Sequence, residues 1–306
     1  MDVPAARPEH QQSSDPGRTV TPKVNIIVMS MGDRPTELDR CLRSALAQDY
    51  ANLEVFLLGN GWPEPIAPDG VRTLGLTENL GISGGRNFAV SQTDGDIFMF
   101  LDDDAWIPDA TSLSRAVTIF ADRPRLALLA PRITAEDGTT LRRWVPRAHV
   151  GDPAVSGPAF TCPEGVTIFR RTAWEAVGGF PTDFFYGHEG IEVAWRLRDL
   201  GWDAWYQADL VVHHPALPPA RHEYYQRMNA RNRVWVARRN LPWPLVPVYV
   251  GVWTVISLGR NGTDWESTKS WVAGWREGWT SSPGQRHPMG WKTVLRLARL
   301  GQPPVI

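Results

Sequence analysis

Short, uninterrupted apolar runs alternate with amphipathic segments through the first hundred residues. The runs VNIIVM (24–29), LEVFLL (53–58) and DIFMFL (96–101) have the length and uniform hydrophobicity of buried parallel strands. Between the first two, residues 36–48 carry apolar side chains at a helical period, and Thr36 is the predicted N-cap. The alternation therefore predicts an α/β fold with an open, mostly parallel sheet flanked by helices.

The same criteria place further elements along the chain. A weaker strand is predicted at 71–76, and a helix at 87–92 follows a glycine-rich turn at 79–85. In the second half we expect strands at 126–130, 166–170, 202–206 and 210–212, and helices at 173–177 and 190–200.

Composition narrows the class of protein. Hydrophobic residues make up 42% and charged residues 21%, which suits a globular chain and excludes wholesale disorder. Residues 1–22 are polar and proline-rich, and we expect them to form a disordered leader. Cys41 and Cys162 are too few for a disulfide framework. Without a signal-like apolar run, we expect a cytoplasmic protein, either free or peripheral on the cytoplasmic membrane face.

Three consecutive carboxylates follow the run at 96–101. Asp102, Asp103 and Asp104 would repel one another without a compensating cation, and carboxylate oxygens suit Mg²⁺ and Mn²⁺. Strand alternation would direct Asp102 and Asp104 to one side and Asp103 to the other. Because ligands of open α/β sheets bind at the carboxyl ends of the strands, we predict a divalent-metal site here.

Two further groups could take part in such chemistry. His213 and His214 follow a short apolar strand, and one imidazole could complete the metal shell. Glu189 and Glu192 open a predicted helix directly after His188. Either carboxylate could deprotonate an acceptor hydroxyl, but acids in a first helical turn also stabilise the helix dipole, so a structural role stays open.

Together these stretches resemble the family 2 glycosyltransferases, which have the GT-A fold. The resemblance covers roughly residues 24–215 and is carried, in the family's order, by VNIIVMSMGDRPTELDRCLRSALAQ, NLGISGGRNFAV, GDIFMFLDDDAW, FRRTAWEAVGGFPTDFFYGHEGIEVAWRLRDLGW and ADLVVHHP. It implies a GT-A type, Rossmann-like domain at 23–218. It also implies transfer of a sugar from a nucleoside diphosphate sugar to an acceptor hydroxyl, with inversion at the anomeric carbon.

The resemblance also assigns roles to individual residues. The donor is expected to contact Ser30, Arg34, Asn60, Arg86, Asp102 and Asp103. A Mn²⁺ or Mg²⁺ ion is expected on Asp102, Asp104 and His214, with His213 as the alternative imidazole. The tail lacks the Gln-x-x-Arg-Trp motif of processive members, so the resemblance implies single addition rather than polymerisation.

One position departs from the family's pattern. The second member of the family's acidic pair, the expected base, aligns with Gly190. Three interpretations follow: Glu189 or Glu192 acts as a displaced base, His188 assists, or the enzyme is slow or inactive. The last would make the chain a nucleotide-sugar-binding or scaffold protein.

Residues 219–306 form a predicted helical appendage that is basic and rich in tryptophan. Residues 221–306 carry 13 basic and 4 acidic side chains, a balance of +9 within a chain of net charge −1, and eight of the fifteen tryptophans. Residues 241–259 are uncharged, but three early prolines leave too short a helix to span a bilayer. Trp271, Trp275 and Trp279 share a helix face that meets either a membrane surface or the catalytic domain.

Two other classes of function are weighed. A nucleotidyltransferase could share the sheet and the acids, but the loop at 30–35 has a single glycine where such enzymes usually have a glycine-rich phosphate loop. The long uncharged segment in the tail argues against nucleic-acid binding, so no nucleic-acid partner is expected. The acceptor hydroxyl would belong to a lipid-linked glycan or to a natural product.

Overall fold

A computed structural model describes residues 21–147, 151–216, 224–261 and 264–305. The predicted leader at 1–22, apart from its last two residues, and the predicted boundary at 218/219 lie outside these ranges. The strands are β1 (Val24–Ser30), β2 (Leu53–Gly59), β3 (Val71–Gly75), β4 (Ile97–Asp102), β5 (Leu126–Thr134), β6 (Gly157–Pro158), β7 (Val166–Arg170) and β8 (Asp203–His213). The α-helices are α1 (Pro35–Leu46), α2 (Gly81–Ser91), α3 (Ser112–Asp122), α4 (Arg171–Val177), α5 (Glu189–Asp199), α6 (Tyr225–Asn240), α7 (Leu245–Asn261), α8 (Trp265–Thr280) and α9 (Trp291–Arg299).

The strands form one mixed sheet in the order β3-β2-β1-β4-β7-β5-β8-β6. The pairs β1–β2, β1–β4, β2–β3 and β5–β8 are parallel, which confirms the mostly parallel α/β sheet. Strands β7 and β6 are the exceptions: β7 runs antiparallel to both β4 and β5, and β6 runs antiparallel to β8. Because Val166 pairs with Leu101, the first residue of β7 lies beside the C-terminal end of β4.

The sheet has helices on both faces, so successive strand residues bury into different layers. Ile26 packs in the cluster that contains Leu42 of α1, whereas Ile27 packs with Ala89 of α2 and Val193 of α5. All five side chains are at most 1% exposed. Burial on both faces explains why these strands read as continuous apolar runs.

Several predicted boundaries need correction. Helix α2 begins at Gly81, six residues before the prediction, because Gly81 adopts a left-handed φ of 71° and the next amide donates to the Phe185 carbonyl. The strands predicted at 202–206 and 210–212 are one strand, β8, with a register shift against β5. Thr36 does not cap α1, which starts at Pro35, a residue whose φ suits the first helical position.

The C-terminal helices pack on the sheet domain and on one another. Trp271 is buried, and Trp275 and Trp279 pack against the same apolar cluster as Trp235 of α6. This row of tryptophans therefore faces protein rather than solvent. In the described part of the chain, none of the helices combines the length and apolar character that crossing a membrane requires.

Helix α8 approaches α6 through a glycine. A Cβ added to Gly274 would overlap the backbone carbonyl of Arg227, whereas one added to Gly251 of α7 would meet open space. We expect Gly274→Ala to lower the free energy of unfolding by about 1–3 kcal/mol, because the helices must separate. Gly251→Ala should raise it by about 0.5–1 kcal/mol through helix propensity. Urea denaturation of both variants tests this; equal stabilities would contradict the close helix contact.

Candidate functional site

A cavity of about 560 Å³ opens at the carboxyl ends of β1, β2 and β4. It contains the predicted donor and metal residues, together with side chains that the sequence did not single out. The former are Ser30, Arg34, Asn60, Arg86, Asp102, Asp103, Asp104 and His214; the latter include Arg143, Trp144, Phe185, Tyr186 and Tyr224. The aromatic run at 184–186 includes two of these residues, but no local sequence pattern links that run to the acids after β4.

The three carboxylates after β4 each have a positive or polar partner. Asp103 accepts a hydrogen bond from the Ser30 hydroxyl at 2.6 Å and pairs with Arg34 at 2.7 Å. Arg34 also bonds Asp104, and Arg86 donates to Asp102 Oδ1 at 2.6 Å. These contacts offset the repulsion among three adjacent negative charges.

The pKa values of two of these acids, Asp103 and Asp102, are shifted in opposite directions by their surroundings. Burial raises the pKa of Asp103 to about 6, even though Ser30 and Arg34 favour its charged form. Burial also disfavours the charge on Asp102, but the His214 hydrogen bond and Arg86 outweigh it and hold that pKa at about 2. Asp102 is therefore fully ionised at neutral pH.

Asp102, Asp104 and His214 converge on one point. One ligand atom from each lies within 4.8 Å of the other two, and His214 Nε2 is 3.5 Å from Asp102 and 3.3 Å from Asp104. His213 is directed elsewhere, because its Nδ1 contacts the Thr134 hydroxyl at 2.8 Å and the Ala135 carbonyl. Two carboxylates and an imidazole form a donor set that suits Mn²⁺ or Mg²⁺.

Asn60 shapes the turn that leads into α2. Its Oδ1 accepts the Leu80 N–H at 2.9 Å, and its Nδ2 donates to Asn79 Oδ1 at 2.9 Å and to the Gly81 carbonyl at 3.3 Å. The turn in turn sets the position of α2, which carries Arg86 into the cavity. Asn60 therefore positions the cavity wall as well as lining it.

Near Asp102, Asp104 and His214 (the metal cluster) is a second pair of acids, Glu189 and Glu164, and the Glu164 carboxylate senses the charge of Asp102. Glu189 is 1% exposed, and its Oε2 has no hydrogen-bond partner among the described residues. Burial, and secondarily the neighbouring Glu164 carboxylate, raise the pKa of Glu189 to about 8. Glu189 is therefore mainly protonated at neutral pH. Glu164, which the sequence reasoning missed, is partly exposed, and its Oε1 accepts the Gly190 N–H at 3.1 Å.

Glu192 is not in the cavity lining. It is fully buried and bonded by Arg239 through both guanidinium Nε and Nη2, at 2.7–2.9 Å, and by Asn240 Nδ2 at 2.9 Å. These contacts tie α5 to α6 and occupy both carboxylate oxygens. The geometry favours the structural interpretation of Glu192.

The loop before α5 is held in an unusual conformation by α6. Phe185 and His188 have positive φ values of 60° and 74°. Asn232 donates to the carbonyls of Phe184, Tyr186 and Gly187 at 2.8–3.0 Å. His188 contacts the Asn229 carbonyl, and burial lowers its pKa well below the usual value. A neutral, tethered His188 is a poor candidate for assisting a base.

The family Glycosyl transferase family 2 matches residues 26–178, half of the chain. The O-antigen biosynthesis protein RfbC of Myxococcus xanthus is 28% identical over 218 residues, which cover 59% of this chain. The aligned region spans only 16% of that relative's length.

Solved structures share the fold at low sequence identity. The mannosyltransferase PcManGT of Pyrobaculum calidifontis, solved with GDP-Man and Mn²⁺, has a TM-score of 0.55 and 20% identity, covering 92% of this chain and 80% of that one. TarS 1-349 of S. aureus, solved with UDP-GlcNAc, has a TM-score of 0.58 and 13% identity, covering 82% and 79%. Both likenesses support the GT-A architecture.

The buried contacts of Glu192 predict a stability defect rather than a purely catalytic one. We expect Glu192→Gln to lower the free energy of unfolding by about 3–5 kcal/mol, because Arg239 would be left as an uncompensated buried charge. Chemical denaturation measures the effect. Glu266→Gln, at an exposed glutamate of α8, is the matched control and should change stability by less than about 0.5 kcal/mol. Full stability of Glu192→Gln with lost activity would return Glu192 to the candidates for the base.

Proposed function

The chain belongs to glycosyl transferase family 2, and we propose that it is a metal-dependent, inverting enzyme that uses a nucleoside diphosphate sugar. The observation that carries the proposal is the convergence of Asp102, Asp104 and His214 in the wall of the cavity. Neighbours of the same fold were solved with GDP-Man and Mn²⁺ and with UDP-GlcNAc. They support a nucleoside diphosphate sugar as the class of donor.

In the proposed donor site, different residues of the cavity would bind different parts of the donor. Ser30, Asn60 and Asp103 would offer hydrogen bonds to the nucleoside, while Arg34 and Arg86 add positive charge along the wall. A Mn²⁺ or Mg²⁺ ion held by the metal cluster would neutralise the charge that develops on the leaving diphosphate. Before a metal ion binds, Arg34 and Arg86 offset the negative charge of the carboxylates and hold these side chains in position.

The acceptor hydroxyl must lose its proton as its oxygen attacks the anomeric carbon. Of the two bases proposed from the sequence, Glu192 is occupied by Arg239 and Asn240. Glu189 is buried and its pKa is raised to about 8, so we propose neither residue as the base. Resemblance to an O-antigen biosynthesis protein supports a glycan acceptor, in preference to a natural product.

The second candidate function is a nucleotide-sugar-binding or scaffold protein without turnover. Gly190, which cannot supply a base, is the observation that favours it. It predicts nucleotide binding without release of product, so the same assay separates the two functions.

The transferase proposal predicts metal-dependent release of free nucleoside diphosphate. The protein would be given Mn²⁺ or Mg²⁺ and a panel of UDP-, dTDP- and GDP-sugars, with and without a lipid extract. We expect EDTA to abolish release and Asp104→Asn to lower it by at least about 100-fold, because several kcal/mol of charge stabilisation are lost. Asp209→Asn, at an exposed carboxylate of β8, should keep full activity. Nucleotide binding with no release from any donor would favour the second function.

We also propose that α7 contacts a membrane surface peripherally. Val248, Val255 and Leu258 are 48%, 74% and 40% exposed and recur at helical spacing on one side of this helix. An exposed apolar helix face in a region of net positive charge suits the interface of an anionic bilayer. Several arginines of α6 are used inside the protein, so the apolar face rather than the charge carries this proposal.

Co-sedimentation with vesicles tests the membrane contact. We expect binding to phosphatidylglycerol-containing vesicles, and Val255→Asp should weaken it about tenfold or more, because burying a valine contributes roughly 1.5–3 kcal/mol. Ile66→Asp, at an apolar side chain that is 81% exposed on the catalytic domain, is the control and should bind normally. Equal binding of both variants, or no binding by the wild type, would contradict the contact.

A further inference from the structure

We infer that Glu164, two residues before β7, is the general base of the transfer reaction. The inference rests on the proposed transferase function. A Cβ on Gly190 would lie 2.5 Å from the Cys162 carbonyl oxygen and 2.8 Å from Glu164 Oε1. The carboxylate of Glu164 therefore occupies the space into which a side chain at position 190 would project.

Because β7 is antiparallel to β4, Glu164 lies at the end of the sheet where β4 ends and where the cavity opens. Val166 pairs with Leu101, so the residues just before β7 lie beside Asp102 at the end of β4. The contact is close, since a Cβ on Gly165 would overlap the Asp102 carboxylate. Glu164 therefore directly precedes Gly165, the residue that packs against the Asp102 carboxylate.

The strand order puts Glu164 on the appropriate side of that cluster. Ser30 and Asn60, the proposed nucleoside contacts, come from the ends of β1 and β2, whereas β7 flanks β4 on the opposite side. An in-line displacement needs the nucleoside diphosphate and the attacking hydroxyl on opposite faces of the anomeric carbon. A base that enters from β7 meets this requirement.

Most other acids near the cavity are engaged or enclosed, and the exposed Asp33 follows β1, on the side of the proposed nucleoside contacts. Asp103 bonds Ser30 and Arg34, and Glu192 bonds Arg239. Glu189 is only 1% exposed, whereas Glu164 is partly exposed and held in place by the Gly190 N–H. Glu164 is therefore the more exposed of the two carboxylates next to Gly190.

The step balances as follows. Glu164 takes the proton of the acceptor hydroxyl while the acceptor oxygen forms a bond to the anomeric carbon. The bond from that carbon to the diphosphate oxygen breaks, and its electron pair leaves with the nucleoside diphosphate. The Glu164 carboxylic acid then returns its proton to water.

The test compares Glu164→Gln with Glu175→Gln, the same substitution at an exposed glutamate of α4. Nucleoside diphosphate release from the donor panel gives kcat and donor KM, and tryptophan fluorescence gives UDP and GDP affinity. We expect Glu164→Gln to lower kcat by about 10²–10⁴-fold with donor KM and nucleotide affinity within threefold of wild type. Glu175→Gln should match wild type in every readout.

The pH profile separates a base from a merely structural residue. In wild type, kcat should fall at acid pH as Glu164 is protonated, a limb shaped by burial, by the charges of Arg86 and Asp102 and by the neighbouring protonated Glu189. Glu164→Gln should lose that limb. Glu164→Asp keeps the charge on a shorter side chain, so it should retain the limb with at least tenfold lower kcat; it also serves if Glu164→Gln folds poorly.

The outcomes are distinct. Release by wild type that Glu164→Gln retains within threefold overturns the role of Glu164 and leaves the transferase proposal standing. A Glu164→Asp variant with wild-type kcat overturns it as well. No release by wild type from any donor overturns the proposed function, and the role of Glu164 with it.

Discussion

Repulsion among three adjacent carboxylates at the end of β4 organises this side of the molecule. Asp102, Asp103 and Asp104 are close enough to destabilise the fold unless positive charge reaches them. Arg34 arrives from the entry to α1 and Arg86 from α2, while His214 follows β8. Three separate parts of the chain thus supply the compensation, and their convergence creates the cavity.

The C-terminal helices contribute directly to the shape of this site. Helix α6 supplies Arg239, which neutralises the buried Glu192 of α5, and Asn232, which binds three carbonyls of the preceding loop. That loop contains two non-glycine residues at positive φ, a conformation that persists only when surrounding contacts enforce it. A truncation that removed α6 would therefore release the loop that carries Phe185 and Tyr186 into the cavity.

The reversed strand β7 links the fold to the proposed chemistry. Had β7 run parallel to β4, its first residues would lie at the opposite edge of the sheet, far from the metal cluster. Its antiparallel direction puts Glu164 beside Asp102, and the Glu164 carboxylate fills the space where a side chain at position 190 would lie. The acid that the sequence lacks at one position is available from a residue 26 positions earlier.

Local pattern was sufficient for the sheet's outline and for the metal cluster. The apolar runs located β1, β2 and β4, and the acids after β4 predicted a candidate metal site there, because strand period and ligand chemistry are both written in neighbouring residues. The residue types left the imidazole open between His213 and His214, and the structure brings His214 to the acids. The direction of β7, the pairing of Glu192 with Arg239 and the enclosure of Glu189 were beyond that pattern. Each depends on contacts between residues tens of positions apart, and only packing of the whole chain decides which of two nearby acids is enclosed and which is partly exposed.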